Sequence, residues 1–177
     1  MNNSLLIVGA STYAVVASEI AADMRCFDKI DFVDDNRKTT PSGIEVVGTT
    51  EDIAKLAERY GNVVVAIGNP QVRLSLLGKI KAEASFRIAS LVSPRAYVSP
   101  SAKVMDGCII EPMAVVHADC VISEGCIISA GAVVNHASVC GEGVHVDCNA
   151  TVEGYTTVPA STKVHCGSVY KNSMSAT

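Results

Sequence analysis

The sequence predicts two architectures in one chain, a small Rossmann-like α/β domain over residues 1–93 and an all-β parallel β-helix over residues 94–177. Two observations carry this. From Val98 to Val164 an apolar residue recurs at every sixth position, Val or Ile at each step except Cys140. Before residue 93, short apolar runs alternate with segments of helical spacing.

In chain order, Leu5-Leu6-Ile7-Val8-Gly9 reads as a wholly apolar strand, followed by a helix from Ala14 to Met24. Ile30 to Val33 is a second strand closed by Asp34-Asp35-Asn36. Thr50 to Tyr60 reads as a helix capped by Thr49 or Thr50, with Glu51 and Asp52 in its first turn. Val63 to Gly68 is a third strand, Gln71 to Lys81 a helix, and Phe86 to Val92 a last strand before Ser93-Pro94. Near-continuous apolar strands alternating with helices indicate a parallel sheet covered on both faces.

From Ala96 the period of six takes over. Two residues before each apolar position stands a mostly small side chain, among them Ala102, Cys108, Ala114 and Cys120, and Asp106-Gly107 or Glu124-Gly125 fill the gaps. Three sixes make one triangular coil of eighteen residues, in which the branched column fills the interior. Stacked coils pair their backbones at about 4.7–4.9 Å per layer, which gives a rigid rod of about four coils.

A net charge of −4 with scattered basic residues argues against nucleic acid or an anionic membrane as the main partner. No apolar run reaches eighteen residues, and Met-Asn-Asn-Ser runs into the first strand without a basic leader, so a cytoplasmic location without a membrane span is expected. Of the seven cysteines, Cys108, Cys120, Cys126 and Cys140 fall in the repeat columns. Reduced, structural thiols are expected there, with no disulfides and no metal.

Ligands of parallel α/β sheets sit beyond the carboxyl ends of the strands. Gly9, Ser11, Asp34, Asp35, Gly68 and Asn69 stand there. Glycine lets backbone approach a ligand, and the Asp-Asp pair suits ribose or base hydrogen bonds or is a solvated turn. Gly9-x-Ser11-x-x-Ala14 is a poor match to a dinucleotide fingerprint.

An α/β domain followed at once by a six-residue repeat, with Asn135-His136 in a loop and His145 nine residues on, resembles the bacterial sugar acyltransferases, which include sialic acid O-acetyltransferases and UDP-4-amino-sugar N-acetyltransferases. The similarity runs through Leu6 to Ala22, Phe32-Val33-Asp34-Asp35, Ala66-Ile67-Gly68-Asn69 with Arg73, and the repeat. It implies a left-handed coil, against the usual right-handed preference of β crossovers. It also implies a homotrimer, acetyl-CoA between neighbouring prisms, and a sugar nucleotide on the N-terminal domain at Gly9, Ser11, Asp34 and Asp35. His136 matches the catalytic histidine, His145 a second histidine at the acyl end, and Gly154 a backbone amide at the thioester carbonyl.

The chemistry is consistent with these residues. Attack on a thioester needs a base that works near neutral pH, and the oxyanion needs a fixed donor. Eighteen residues separate His136 from Gly154, which places them in one column of successive layers. Where the family commonly has Asp or Glu after the histidine, this chain has Ala137, and one coil below it lies Asp119. Asp119 is therefore expected either to supply the carboxylate from the adjacent layer or to be a solvated turn residue. Lys163, one layer above His145, meets a coenzyme phosphate or water. Thr12-Tyr13-Ala14 replaces the Gly-His-Gly frequent in relatives. The expected activity is acetyl transfer from acetyl-CoA to the amine of a UDP-4-amino sugar. The alternatives are O-acetylation of a sialic-acid-like sugar, a non-catalytic trimeric relative, and a zinc hydratase using His117, His136 and His145.

Overall fold

A computed structural model describes residues 2–172. The chain divides into two compact units, one up to Pro94 and one from Arg95.

The first unit is built on a five-stranded parallel sheet. Its strands are β1 (Ser4–Val8), β2 (Lys29–Val33), β3 (Val46–Gly48), β4 (Asn62–Val65) and β5 (Arg87–Ile88), in spatial order β3-β2-β1-β4-β5. That order reverses direction at β1, which opens a crevice between the carboxyl ends of β1 and β4. Alternate residues of β1 point to opposite faces, and every residue of Leu5–Val8 is buried. Leu6 and Val8 join a cluster with Ile53, Leu56, Leu77 and Ile80 from helices α2 (Ile53–Leu56) and α3 (Pro70–Glu83). Helix α1 (Thr12–Asp23) also packs on β1, burying Ala14, Ala17, Ile20 and Ala21. A strand covered on both sides has no solvent face, which is why its sequence shows no alternation.

Three elements differ from the sequence reading. The helix expected over Thr50–Tyr60 is a 3-10 turn, Thr50–Asp52, followed by only four α residues. Its start is fixed by the Asp52 carboxylate, which accepts hydrogen bonds from the Thr49 amide and hydroxyl at 2.8 and 3.0 Å. The three-residue edge strand β3 was not anticipated, because Val46-Val47 is too short a run to register. The strand expected over Phe86–Val92 is two short pieces, Arg87–Ile88 and Leu91–Val92.

The second unit is a three-sided prism of two-residue strands. Partners are eighteen residues apart throughout: Tyr97, Val115, Val133, Thr151 and Val169 on one side, Lys103, Val121, Val139 and Thr157 on the next, and Ile109, Ile127, His145 and Lys163 on the third. The interior column from Ile110 to Val158 is buried, at about 1.5–3 kcal/mol per branched side chain. Each corner is turned by one residue in the left-handed region, and these recur every sixth position from Gly107 to Gly167. Glycine holds several, but Met113, Asp119, Ala137, Asn149, Tyr155 and Ser161 hold the others. Met113, Ala137, Tyr155 and Ser161 each cost roughly 1–2 kcal/mol relative to glycine, and Asp119 and Asn149 less, set against the ladder and interior of the coil.

Candidate active site

His136 stands at the corner between the strands Val133–Val134 and Val139–Cys140, with its side chain exposed. Asn135 Oδ1 accepts hydrogen bonds from the His136 backbone amide at 2.9 Å and from its ring Nδ1 at 2.8 Å. A backbone N–H can only donate, so the Asn135 atom between them is the oxygen. An oxygen can only accept, so Nδ1 carries the ring proton. The lone pair of the neutral imidazole is therefore on Nε2.

Nε2 faces the next layer. A Cβ built on Gly154 would lie 3.1 Å from both Nε2 and Cε1 of His136, so only glycine admits this approach without displacing the ring. Among the described residues the Gly154 amide has no acceptor. The two turns are tied together. The Tyr155 amide donates to His136 O at 3.0 Å, and the buried Ser138 hydroxyl donates to Glu153 O at 2.7 Å while accepting from the Thr156 amide at 3.2 Å. The Tyr155 ring meets the imidazole edge to face, with centroids 5.0 Å apart and planes at 89°. Such pairs contribute about 0.5–1.5 kcal/mol.

The carboxylate expected from Asp119 is not the partner of the imidazole. Asp119 is exposed, and its recorded hydrogen bond is from its own amide to Ser101 Oγ at 3.0 Å. The orienting group comes from the preceding residue, Asn135, and not from the layer below. An Asn-His dipeptide at a coil corner was the available sequence signal; what it could not show is that the Asn side chain folds forward onto Nδ1.

His145 lies in the third side of the prism, the side opposite the His136 corner. Nine residues is half a coil. The ring is buried, with Nε2 3.0 Å from Ser129 Oγ and 3.9 Å from Asp147 Oδ1. Lys163 stands one layer above His145 in register, as the count of eighteen requires, and its ammonium pairs with Asp147 Oδ2 at 2.9 Å. Burial pushes the Asp147 carboxyl up, yet the hydrogen bonds from Lys163 and the Cys148 amide and the charge of His145 leave it below its ordinary value.

In the first unit, a cavity of about 510 Å³ opens at the carboxyl ends of β1, β2 and β4. Gly9, Asp34 and Asp35 line it; Ser11, Gly68 and Asn69 do not. Gly9 has φ 113°, and a side chain there would press on Ala66 O at 3.0 Å. Both carboxylates hold backbone. Asp34 accepts from the amides of Ala10, Asn36 and Arg37, and Asp35 from the Thr50 amide at 2.7 Å and hydroxyl at 2.9 Å. Asn69 caps α3 through the Val72 amide at 3.0 Å. Arg73, fully buried, donates from Nη1 to Ile67 O and Gly68 O and fixes the turn between them. The Ser11 hydroxyl has no partner among the described residues and stands at the N-terminus of α1, where amides and dipole favour an anion. Asn36, Thr50, Gln71 and Ser75 also line the cavity. Sequence reading missed them; Gln71 and Ser75, four apart on one helix face, were the signal.

Two family descriptions match the chain: residues 4–80 match the PglD N-terminal domain, and residues 101–136 match six repeats of the bacterial transferase hexapeptide. The chain has the two-domain build of the bacterial sugar acyltransferases. Its prism is the left-handed parallel β-helix of these hexapeptide proteins. The acetyltransferase domain of PglB from Neisseria gonorrhoeae FA1090 is similar at 25% identity, over 96% of this chain and 91% of that one, with a TM-score of 0.74. PerB from Caulobacter crescentus, solved in complex with CoA and GDP-perosamine, is similar at 23% identity, over 94% and 88% of the two chains, also with a TM-score of 0.74. A comparison with curated protein sequences gives no match. For this sugar acyltransferase build, no helix among the described residues is long and apolar enough to cross a membrane.

Proposed function

We propose that the chain transfers the acetyl group of acetyl-CoA to the amine of a nucleotide-linked 4-amino sugar, UDP-linked by preference. The observation that carries this reading is that His136, with Nδ1 held by Asn135, brings Nε2, the lone-pair atom of its neutral ring, against Gly154 one layer away. Nε2 takes the proton as the amine attacks the thioester carbonyl. The Gly154 N–H stabilises the oxyanion, and collapse of the tetrahedral species forms the amide and expels the coenzyme thiolate, which the proton then neutralises. The cavity at Gly9, Asp34 and Asp35 would take the nucleoside, with the diphosphate toward the α1 N-terminus. Supporting comparisons are the PglB domain, also solved with acetyl coenzyme A, and PerB with its GDP-linked sugar.

His136 and His145 lie on opposite sides of one prism, so a site using both is shared between neighbouring copies of the chain, as in a homotrimer. The test is acceptor-dependent release of free thiol from acetyl-CoA with UDP- and GDP-linked 4-amino sugars, using His136→Ala as control. No release with any amino or hydroxyl acceptor would make the chain a non-catalytic relative. Release undiminished in the variant would remove the base. Mixing His136→Ala with His145→Ala chains should restore part of the activity if the site spans two copies.

A further inference from the structure

We infer that Tyr155 is a positioning residue that holds the His136 imidazole over the Gly154 amide, a role resting on the reading of His136 as the base. Tyr155 occupies a corner position with φ 57°, a conformation that glycine or asparagine adopts readily and a bulky aromatic does not. The chain gains little burial in return, because the side chain is 74% exposed. Its backbone amide bonds to His136 O, but any residue other than proline would supply that bond. Its hydroxyl has no partner among the described residues. What the side chain does is stand edge to face against the imidazole, at 5.0 Å and 89°.

The imidazole is otherwise held at one atom. Asn135 fixes Nδ1, and a ring hinged on a single hydrogen bond at an exposed corner can swing about its side-chain torsions, carrying Nε2 away from the amide. Tyr155 closes that swing from the layer above, while Gly154 leaves room for the ring to come close. The coil corner sets the left-handed backbone at this position, as at the other corners, and the edge-to-face contact with the imidazole is what an aromatic side chain adds there.

The inference makes activity and stability move in opposite directions. Tyr155→Asn relieves the backbone and frees the ring, so the melting temperature should stay level or rise while kcat falls by about 10-fold, with KM for acetyl-CoA within about twofold. Tyr155→Phe keeps the ring and should keep kcat within about twofold. In 1H–15N spectra of the imidazole nitrogens, assigned with His136→Ala, Tyr155→Asn should shift the His136 ring signals. Retention of wild-type kcat in Tyr155→Asn overturns the inference, and so does a fall in kcat that comes with a lower melting temperature, which would mark a merely structural role. If His136→Ala itself stays active, the reading of the base has failed instead.

Discussion

Gly154→Ala isolates the geometry of the site more cleanly than removal of His136, the proposed base. The added methyl would lie 3.1 Å from Nε2 and Cε1 of His136, where an ordinary carbon contact needs about 3.5–4.0 Å. The imidazole must therefore retreat by at least about 0.4 Å, and it cannot do so without lengthening the 2.8 Å bond to Asn135 or leaning on Tyr155. Gly154 is not among the residues with positive φ, so alanine brings no backbone strain and the coil should fold normally. Since a displacement of about 1 Å can cost 10²-fold in rate, a shift of this size should lower kcat by about 10-fold or more, with an unchanged circular dichroism spectrum and a melting temperature within about 2 °C. Thiol release at saturating acetyl-CoA measures it. A Gly154→Ala chain with wild-type kcat would show that the base and the amide do not act together at this distance.

Asn135→Asp would place a carboxylate against Nδ1, favouring the protonated imidazole; the acid limb of kcat/KM should move to higher pH, read from a pH–rate profile. Ser138→Ala leaves the Thr156 amide and Glu153 carbonyl without their buried partner, and urea unfolding should show a loss of about 1–3 kcal/mol. The Asp147 carboxyl titrates below its unfolded value of 3.8, so its pairing contributes stability above that pH and loses it as pH falls through the lower folded value. Asp147→Asn should accordingly flatten the acid end of a stability-against-pH curve. Burial pushes the Cys140 thiol up to about 12, the Cys108 contact and burial raise Cys126, and burial raises Cys120. An aromatic disulfide reagent at neutral pH should modify Cys26 and Cys166 at once and leave Cys108, Cys120, Cys126 and Cys140 unreacted until denaturant is added.

Most of the prism was legible because its physics is periodic. One branched residue in six fills the interior and eighteen residues close a layer, so counting alone put Gly154 above His136 and Lys163 above His145. The first unit was legible wherever strands are buried on both faces, as in Leu5–Val8, and illegible at Val46–Gly48, where two valines at an edge carry too little pattern. Counting places side chains in columns but does not aim them. The count of eighteen brought Asp119 toward the imidazole, but the side-chain torsion of Asn135, which no count supplies, puts its oxygen on Nδ1. The same limit hid that Asp34 and Asp35, which line the cavity, also accept hydrogen bonds from loop amides.

His136 and Gly154, the proposed base and oxyanion donor, come from successive layers of one prism, so the gap between them is a repeat distance of the polypeptide itself and owes little to which side chains decorate the faces. Sequence can drift almost freely without altering that gap, which is consistent with neighbours of the same build sharing only about a quarter of their residues with this chain. The change such a site tolerates least is one of length: a single residue gained or lost between 136 and 154 would turn the amide out of line, however conservative every other replacement.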